Sequence, residues 1–115
     1  GLKEITGGRG VDMVLNSLAG EHIGLGVESL APGGRFLEIG KRDIYADSAL
    51  RLKAFRRNIT YTAIDVDRLM LDDPLLSRKL TEDVLALIEA GALPPVPVTI
   101  YDYADYMSAF RSMQK

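Results

Sequence analysis

Side chains that could do chemistry stand at the ends of three apolar runs in the sequence. Lys41 follows one run directly after a glycine, Asp65 closes a later one, and Asn16 and Ser17 stand at the end of the first. A lysine and an aspartate that meet could share a proton or form an ion pair. Asn16 and Ser17 could form hydrogen bonds with a ribose or a carboxamide. Together these residues suggest a crevice for a dinucleotide.

Each of these residues also has a structural explanation that the pattern does not exclude. Exposed lysines are common in loops, and an aspartate at the end of a strand is a usual turn or cap residue. Asp67 competes with Asp65 for any role as an acidic partner. Asn16 and Ser17 could equally cap the following helix. The choice depends on the elements that position these side chains.

The three apolar runs have the length and composition of strands. Val11–Asn16 is apolar enough to be buried on both faces, as in a parallel sheet. Pro32-Gly33-Gly34 predicts a turn, and a second strand is expected to begin at Gly34 within the stretch Gly34–Asp43. Asn58–Asp65 is rich in β-branched and aromatic residues and predicts the third strand.

Helices are predicted between these strands. One face of the first carries apolar residues at helical spacing: Ile23, Val27 and Leu30. Gly24 and Gly26 weaken this helix by roughly 1 kcal/mol each relative to alanine, which indicates either close packing on the sheet or tolerated weakness. A short helix is expected near residues 47–56.

The carboxyl-terminal part predicts two more helices. The first of these begins with Asp73 as its N-cap and Pro74 as its first residue, and it ends at Gly91. One face of this helix is apolar: Leu76, Leu80, Val84, Leu87 and Ile88. Val98–Tyr101 could pair as a strand, and a last helix opens at residue 102 or 103.

The order of elements predicts an α/β fold, a βαβαβ unit with carboxyl-terminal helices that forms half of a doubly wound, Rossmann-like parallel sheet. Right-handed crossovers would place all three strand ends at one edge. The glycines at 7–10 and at 33–34 precede predicted strands, and those at 20, 24 and 26 follow a strand but lack the GxGxxG spacing of a dinucleotide-binding turn. The half that binds pyrophosphate is therefore expected to lie outside this chain.

Composition excludes several classes of function. The 115 residues suit one small domain or part of one, and the net charge of -2 provides no basic surface for nucleic acid and no reason to expect a membrane partner. The absence of cysteine excludes thiolate zinc sites, and a single histidine argues against a histidine-rich metal site. No apolar run reaches the ~20 residues of a membrane span, and no signal peptide is evident, so a cytoplasmic location is expected.

Two long motifs identify a family resemblance. VDMVLNSLAG at 11–20 and GRFLEIGKRD at 34–43 resemble the enoyl reductase domain of modular polyketide synthases and related fatty acid synthases. These domains belong to the zinc-independent branch of the medium-chain dehydrogenase/reductase superfamily. The resemblance continues through 58–61, 95–98 and 109–114, in the right order over essentially the whole chain.

The resemblance implies NADPH-dependent reduction of an α,β-unsaturated thioester carried on an acyl carrier protein. It implies that Lys41 is a proton donor or a contact beside the nicotinamide. Asp65 would be its acidic partner by the polyketide synthase pattern, and Asp67 by the fatty acid synthase pattern. The residues that would line the nicotinamide and ribose are Asn16, Ser17, Leu18, Gly40 and Lys41.

The resemblance further implies that residues 1–115 are one part of an NADP-binding domain, inactive alone. The substrate domain, the rest of the synthase and a carrier-bound substrate would be its partners, and an exposed sheet edge could support a homodimer. Two alternatives stay open: a free-standing quinone or enone reductase of the same superfamily, and a non-catalytic dimerisation or scaffold module.

Overall fold

The computed structural model describes residues 2–113. Their elements are α1 (Leu2–Ile5), β1 (Val11–Asn16), α2 (Glu21–Ser29), β2 (Leu30–Glu38), α3 (Arg42–Tyr45), a 3₁₀ helix (Leu52–Arg57), β3 (Thr60–Ala63), α4 (Val66–Asp72), α5 (Pro74–Glu89), a 3₁₀ turn (Tyr103–Asp105) and α6 (Tyr106–Met113). The chain divides into two compact units, residues 1–74 and 75–115. No helix in the described range 2–113 is both long enough and apolar enough to cross a bilayer.

The first unit contains a three-stranded parallel sheet in the order β1-β2-β3. Val14 lies beside Phe36, and Phe36 lies beside Tyr61. The predicted α/β class and βαβαβ order are therefore confirmed. Because all three strands are parallel, their carboxyl ends lie at one edge of the sheet.

The second strand begins earlier than expected. Val11 pairs with Leu30 while Met13 pairs with Arg35, so residues 31–34 form an irregularity inside β2. Gly33 has a φ of +74°, which suits glycine in this bend. The predicted start at Gly34 was wrong because the bend interrupts the pairing without ending it.

The core lies on one face of the sheet. Its buried members are Ile23, Val27, Leu30, Phe36 and Ile59. Phe36 stacks on Tyr61 with 5.3 Å between ring centroids. The expectation that β1 is buried on both faces is wrong, since Met13 is 46% exposed and Leu15 is 65% exposed.

Of the helix expected near 47–56, only the last part forms, as a 3₁₀ helix, and a separate short helix, α3, lies before this range. Asp47 has a φ of +52°, a conformation that interrupts a right-handed helix. α3 therefore ends at Tyr45, and a 3₁₀ helix forms only from Leu52. Asn58 follows in the left-handed conformation, which explains why β3 starts later than predicted.

The helix after β3 was not predicted. α4 begins after Asp65, which shortens the third strand to Thr60–Ala63, and ends before Asp73. α5 then begins at Pro74 and runs to Glu89, as expected.

The second unit contains most of α5, followed by α6. Residues 94–102 are irregular, and the strand expected at Val98–Tyr101 is absent from the described chain. Among residues 2–113, no strand pairs with this segment. α6 follows near the predicted position, after Asp102 accepts a hydrogen bond from the Ala104 N–H at 2.9 Å.

Candidate functional site

The carboxyl edge of the sheet brings the predicted site residues together. The Ile39 N–H donates to the Asn16 carbonyl at 2.9 Å, and the Ile64 N–H donates to the Glu38 carbonyl at 2.8 Å. The backbone pairing thus continues one residue beyond β2 and β3. The turns that carry Ser17, Lys41 and Asp65 consequently leave the sheet at the same edge, which we call the rim.

Lys41 lies between two carboxylates at the rim. Its Nζ is 2.9 Å from Asp65 Oδ1 and also forms an ion pair with Asp67. The hydrogen bonds to Asp67 and then to Asp65 raise the pKa of Lys41 above its usual range. The ammonium is therefore charged over the physiological range and is held by two anions.

Asp65 combines two roles that the sequence analysis treated as alternatives. Its side chain caps α4 by accepting from the Arg68 N–H at 3.1 Å, while its other oxygen accepts from the Tyr45 hydroxyl at 2.9 Å. Lys41, the Arg68 N–H and the Tyr45 hydroxyl together lower the pKa of Asp65 to about 2. In turn, the hydrogen bond to Asp65 raises the pKa of Tyr45.

The two candidate acidic partners differ in how firmly they are held. The Asp65 side chain is 27% exposed and has three donors around it, whereas the Asp67 side chain is 82% exposed in the first turn of α4. Both contact Lys41, so the structure brings both together with the lysine. Asp65 is the carboxylate with the better-defined position.

The side-chain amide of Asn16 forms hydrogen bonds with other residues of the chain. Its Nδ2 donates to the Leu18 carbonyl and to Glu38 Oε2, both at 2.7 Å. Its Oδ1 accepts from the Leu18 N–H at 3.3 Å, and the residue is only 6% exposed. Asn16 thus shapes the turn that follows β1, while Ser17 and Leu18 are exposed.

Position 40 has no room for a side chain, so it requires glycine. A Cβ at this position would lie 2.6 Å from Glu38 Oε1 and 3.3 Å from the Ser17 carbonyl oxygen. The Gly40 N–H also donates to Glu38 Oε1 at 2.6 Å. The missing side chain lets the two turns approach each other.

Sequence reasoning missed three polar residues around the rim. Glu38 is 1% exposed, Tyr45 binds Asp65, and Asp43 Oδ2 accepts from the Gly20 N–H at 2.9 Å. A carboxylate inside the apolar run GRFLEIG was the available signal for Glu38. This hydrogen bond occupies the Gly20 N–H immediately before α2, so that N–H is not available to an anion.

The rim carries exposed and charged groups at the point where the three strands end. The turn after β1 leaves Ser17 and Leu18 exposed, Gly40 has no side chain to obstruct the gap, and Lys41 supplies a positive charge. The glycines at 7, 8 and 10 precede β1 rather than follow a strand. They do not form the phosphate-binding turn that Rossmann-like domains place between a strand and a helix.

A parallel sheet whose charged and polar residues meet at its carboxyl edge is an α/β sheet of the kind that binds ligands at that edge. The chain belongs to the zinc-binding dehydrogenase family, whose model matches residues 2–115.

Known proteins with similar sequences include polyketide synthases. The chain is 46% identical over 110 residues to a phenolphthiocerol/phthiocerol polyketide synthase of Mycobacterium tuberculosis. That match covers 96% of this chain and 5% of the synthase, so the chain spans a small part of its relative.

Solved structures with the same fold include enoyl reductase domains. The nucleotide-binding subdomain of the enoylreductase domain of PpsC from Mycobacterium tuberculosis is 44% identical, with a TM-score of 0.75 over 83% of this chain and 53% of that one. The CurF ER cyclopropanase from the curacin A biosynthetic pathway is 34% identical, with a TM-score of 0.74 over 98% of this chain and 33% of that one. The resemblance to polyketide synthase enoyl reductases is confirmed, although the second name shows that the fold alone does not define the reaction.

The zinc in the family's name does not fit this chain. The sequence contains no cysteine and one histidine, and residues 2–113 contain no cluster of three or more histidine, aspartate or glutamate side chains suited to a metal ion. The side chains present therefore do not match the thiolate and imidazole ligands that zinc prefers in proteins.

Proposed function

We propose that residues 1–115 form part of the NADP-binding domain of an enoyl reductase in a polyketide synthase. The reaction is the NADPH-dependent reduction of an α,β-enoyl thioester carried on an acyl carrier protein. The observation that carries this proposal is the position of Lys41. It is held between Asp65 and Asp67 at the rim, beside the turn formed by Ser17 and Leu18.

The nicotinamide and its ribose would be held at the rim. When bound, NADPH supplies the hydride that is added to the β-carbon. Ser17 and Leu18 would contact the nicotinamide from one side, and Gly40 and Lys41 from the other. Asn16 supports this arrangement through the turn, because its amide already binds Leu18 and Glu38.

The second half of the reaction needs a proton at the α-carbon. A general acid works best when its pKa is close to the working pH, and the two aspartates raise the pKa of Lys41. Proton donation by Lys41 therefore requires one ion pair to open. While both are closed, the ammonium provides a fixed positive charge that stabilises negative charge on the thioester oxygen as hydride is added.

The proposal includes the setting of the domain. The rest of the reductase would supply the substrate domain and the pyrophosphate site, and the synthase would supply the carrier protein. The outer edges of β1 and β3 are unpaired within residues 2–113, which supports a contact with another part of the reductase or with a second copy. A cytoplasmic location agrees with this setting.

The test is a kinetic comparison in the full-length protein that contains this chain. Lys41→Met should lower kcat for a carrier-bound enoyl thioester by about 10²-fold, the lower end of the range for a general acid. Lys53→Met removes another lysine of the same unit, from an exposed position in the 3₁₀ helix, and should leave kcat unchanged.

Product analysis separates the possible outcomes. The wild-type protein should convert the enoyl thioester and NADPH to the saturated thioester. No reduction by the wild-type protein, or a different product such as a cyclopropane, would contradict the proposed function. Reduction with an unchanged rate in Lys41→Met would remove Lys41 from the mechanism.

A further inference from the structure

Glu38 is a buried acidic residue that the proposed reaction does not use directly. It closes β2 and is 1% exposed. Its Oε2 accepts from the Asn16 amide at 2.7 Å, and its Oε1 accepts from the Gly40 N–H at 2.6 Å. A single carboxylate thus connects the end of β1 with the turn that follows β2.

The network around Glu38 reaches both sides of the proposed nicotinamide site. Through Asn16 it extends to the carbonyl and N–H of Leu18, at 2.7 Å and 3.3 Å. Through Gly40 it fixes the residue that precedes Lys41. The Ile64 N–H binds the Glu38 carbonyl at 2.8 Å, so the third strand end is also attached to this residue.

The fit around the carboxylate is tight. A methyl group at Gly40 would lie 2.6 Å from Glu38 Oε1 and 3.3 Å from the Ser17 carbonyl. The Glu38 carboxylate between them therefore fixes the distance between the turn after β1 and the turn after β2. A buried polar group that connects two backbone segments in this way restricts their movement when all of its hydrogen bonds are satisfied.

We propose that Glu38 is a positioning residue: its carboxylate connects the turn after β1 to the turn after β2 and sets the width of the gap that holds the nicotinamide ring. Glu38 acts through Asn16 and Gly40 and does not touch the cofactor. The inference rests on the proposed function, because it requires a nicotinamide nucleotide at the rim.

The first variant is Glu38→Gln in the full-length protein. An amide offers one acceptor where the carboxylate offered two, so its nitrogen would face a donor, either the Asn16 amide or the Gly40 N–H. Two ligands separate an effect on the nicotinamide gap from a general loss of binding. NADPH contains the nicotinamide, and adenosine 2′,5′-bisphosphate lacks it. We expect the Kd for NADPH to rise about tenfold, which corresponds to about 1.4 kcal/mol, while the Kd for the bisphosphate stays unchanged.

A second variant disturbs the same network without changing Glu38. Asn16→Ala removes the amide that donates to Glu38 Oε2 and should produce the same selective loss of NADPH affinity. Phe36→Leu is the control, because it loosens the core of the same strand away from the rim. It should lower the unfolding temperature without changing the ratio of the two Kd values.

The outcomes are distinct. A wild-type protein that does not bind NADPH would overturn the proposed function and this inference together. Normal NADPH binding in the wild type, with an unchanged Kd ratio in both Glu38→Gln and Asn16→Ala, would overturn the inference alone. Equal weakening of both ligands, or failure of both variants to fold, would show that the network maintains the fold rather than the nicotinamide gap.

Discussion

Two glycines of α2 should respond in opposite ways to replacement by alanine. Gly24 and Gly26 both lie inside the helix, and alanine favours a helix interior by about 1 kcal/mol over glycine. A Cβ on Gly24 would meet no atom within 4 Å, whereas a Cβ on Gly26 would lie 2.6 Å from Phe36 Cε2. The local preference is the same at the two positions, and only the packing differs.

The free-energy cost of the methyl group added by Gly26→Ala depends on how freely Phe36 can move. The ring is fully buried and stacks on Tyr61 at an interplanar angle of 13°, so it has little space in which to move. Overpacking a core of this kind typically destabilises by about 1–3 kcal/mol. After the gain in helix preference, we expect Gly26→Ala to lower stability by about 0–2 kcal/mol and Gly24→Ala to raise it by about 1 kcal/mol.

Hydrogen exchange of the β2 amides provides the assay, because it reports the local stability of this unit. Gly24→Ala should slow their exchange by about fivefold. Gly26→Ala should leave exchange unchanged or accelerate it by up to about 30-fold. Equal slowing in both variants would show that the Phe36 ring moves aside freely, and would refute the argument that α2 packs closely on the sheet at Gly26.

Two further predictions concern the aspartates of the rim. In the proposed reaction of a carrier-bound enoyl thioester, Asp65→Asn should lower kcat more than Asp67→Asn. The reason is positional: Asp65, which is fixed by Tyr45 and the Arg68 N–H, holds the Lys41 ammonium in place, whereas Asp67 is 82% exposed. An equal or larger effect of Asp67→Asn would contradict this. The pKa of Asp65 falls from 3.8 to about 2 on folding, so its stabilising contribution is complete above about pH 4 and is lost as the pH falls towards 2. Unfolding in urea is measured at pH 5 and at pH 2.5 by hydrogen exchange of the same β2 amides. From pH 5 to pH 2.5, Asp65→Asn should lose less stability than the wild type. An equal loss would contradict the ionic role of Asp65.

Several elements could be predicted from the sequence because their signals are local. Val11–Asn16 has the composition of a strand, and Pro74 opens α5 where the pattern places it. The meeting of Lys41 with Asp65 follows from a general rule rather than from either residue. Once three parallel strands are joined by right-handed crossovers, the residues that leave them share an edge.

Other elements were predicted incorrectly because their form depends on distant parts of the chain. β2 includes Leu30 because Val11 pairs with it, although the sequence between them contains a helix and a proline–glycine turn follows. The strand expected at Val98–Tyr101 has no partner within the described residues, and a strand is stable only when its backbone groups are paired.

The sequence by itself determined that this chain makes an α/β sheet with a lysine and two aspartates near its carboxyl edge, because periodicity, caps and turn residues act over a few neighbouring positions. Only the tertiary structure decided that both aspartates contact Lys41, that Asn16 binds Glu38 across 22 residues of sequence, and that Gly26 but not Gly24 lies against Phe36. The physical reason is that hydrogen bonds and close packing depend on distances between atoms, and folding sets those distances between residues far apart in the chain.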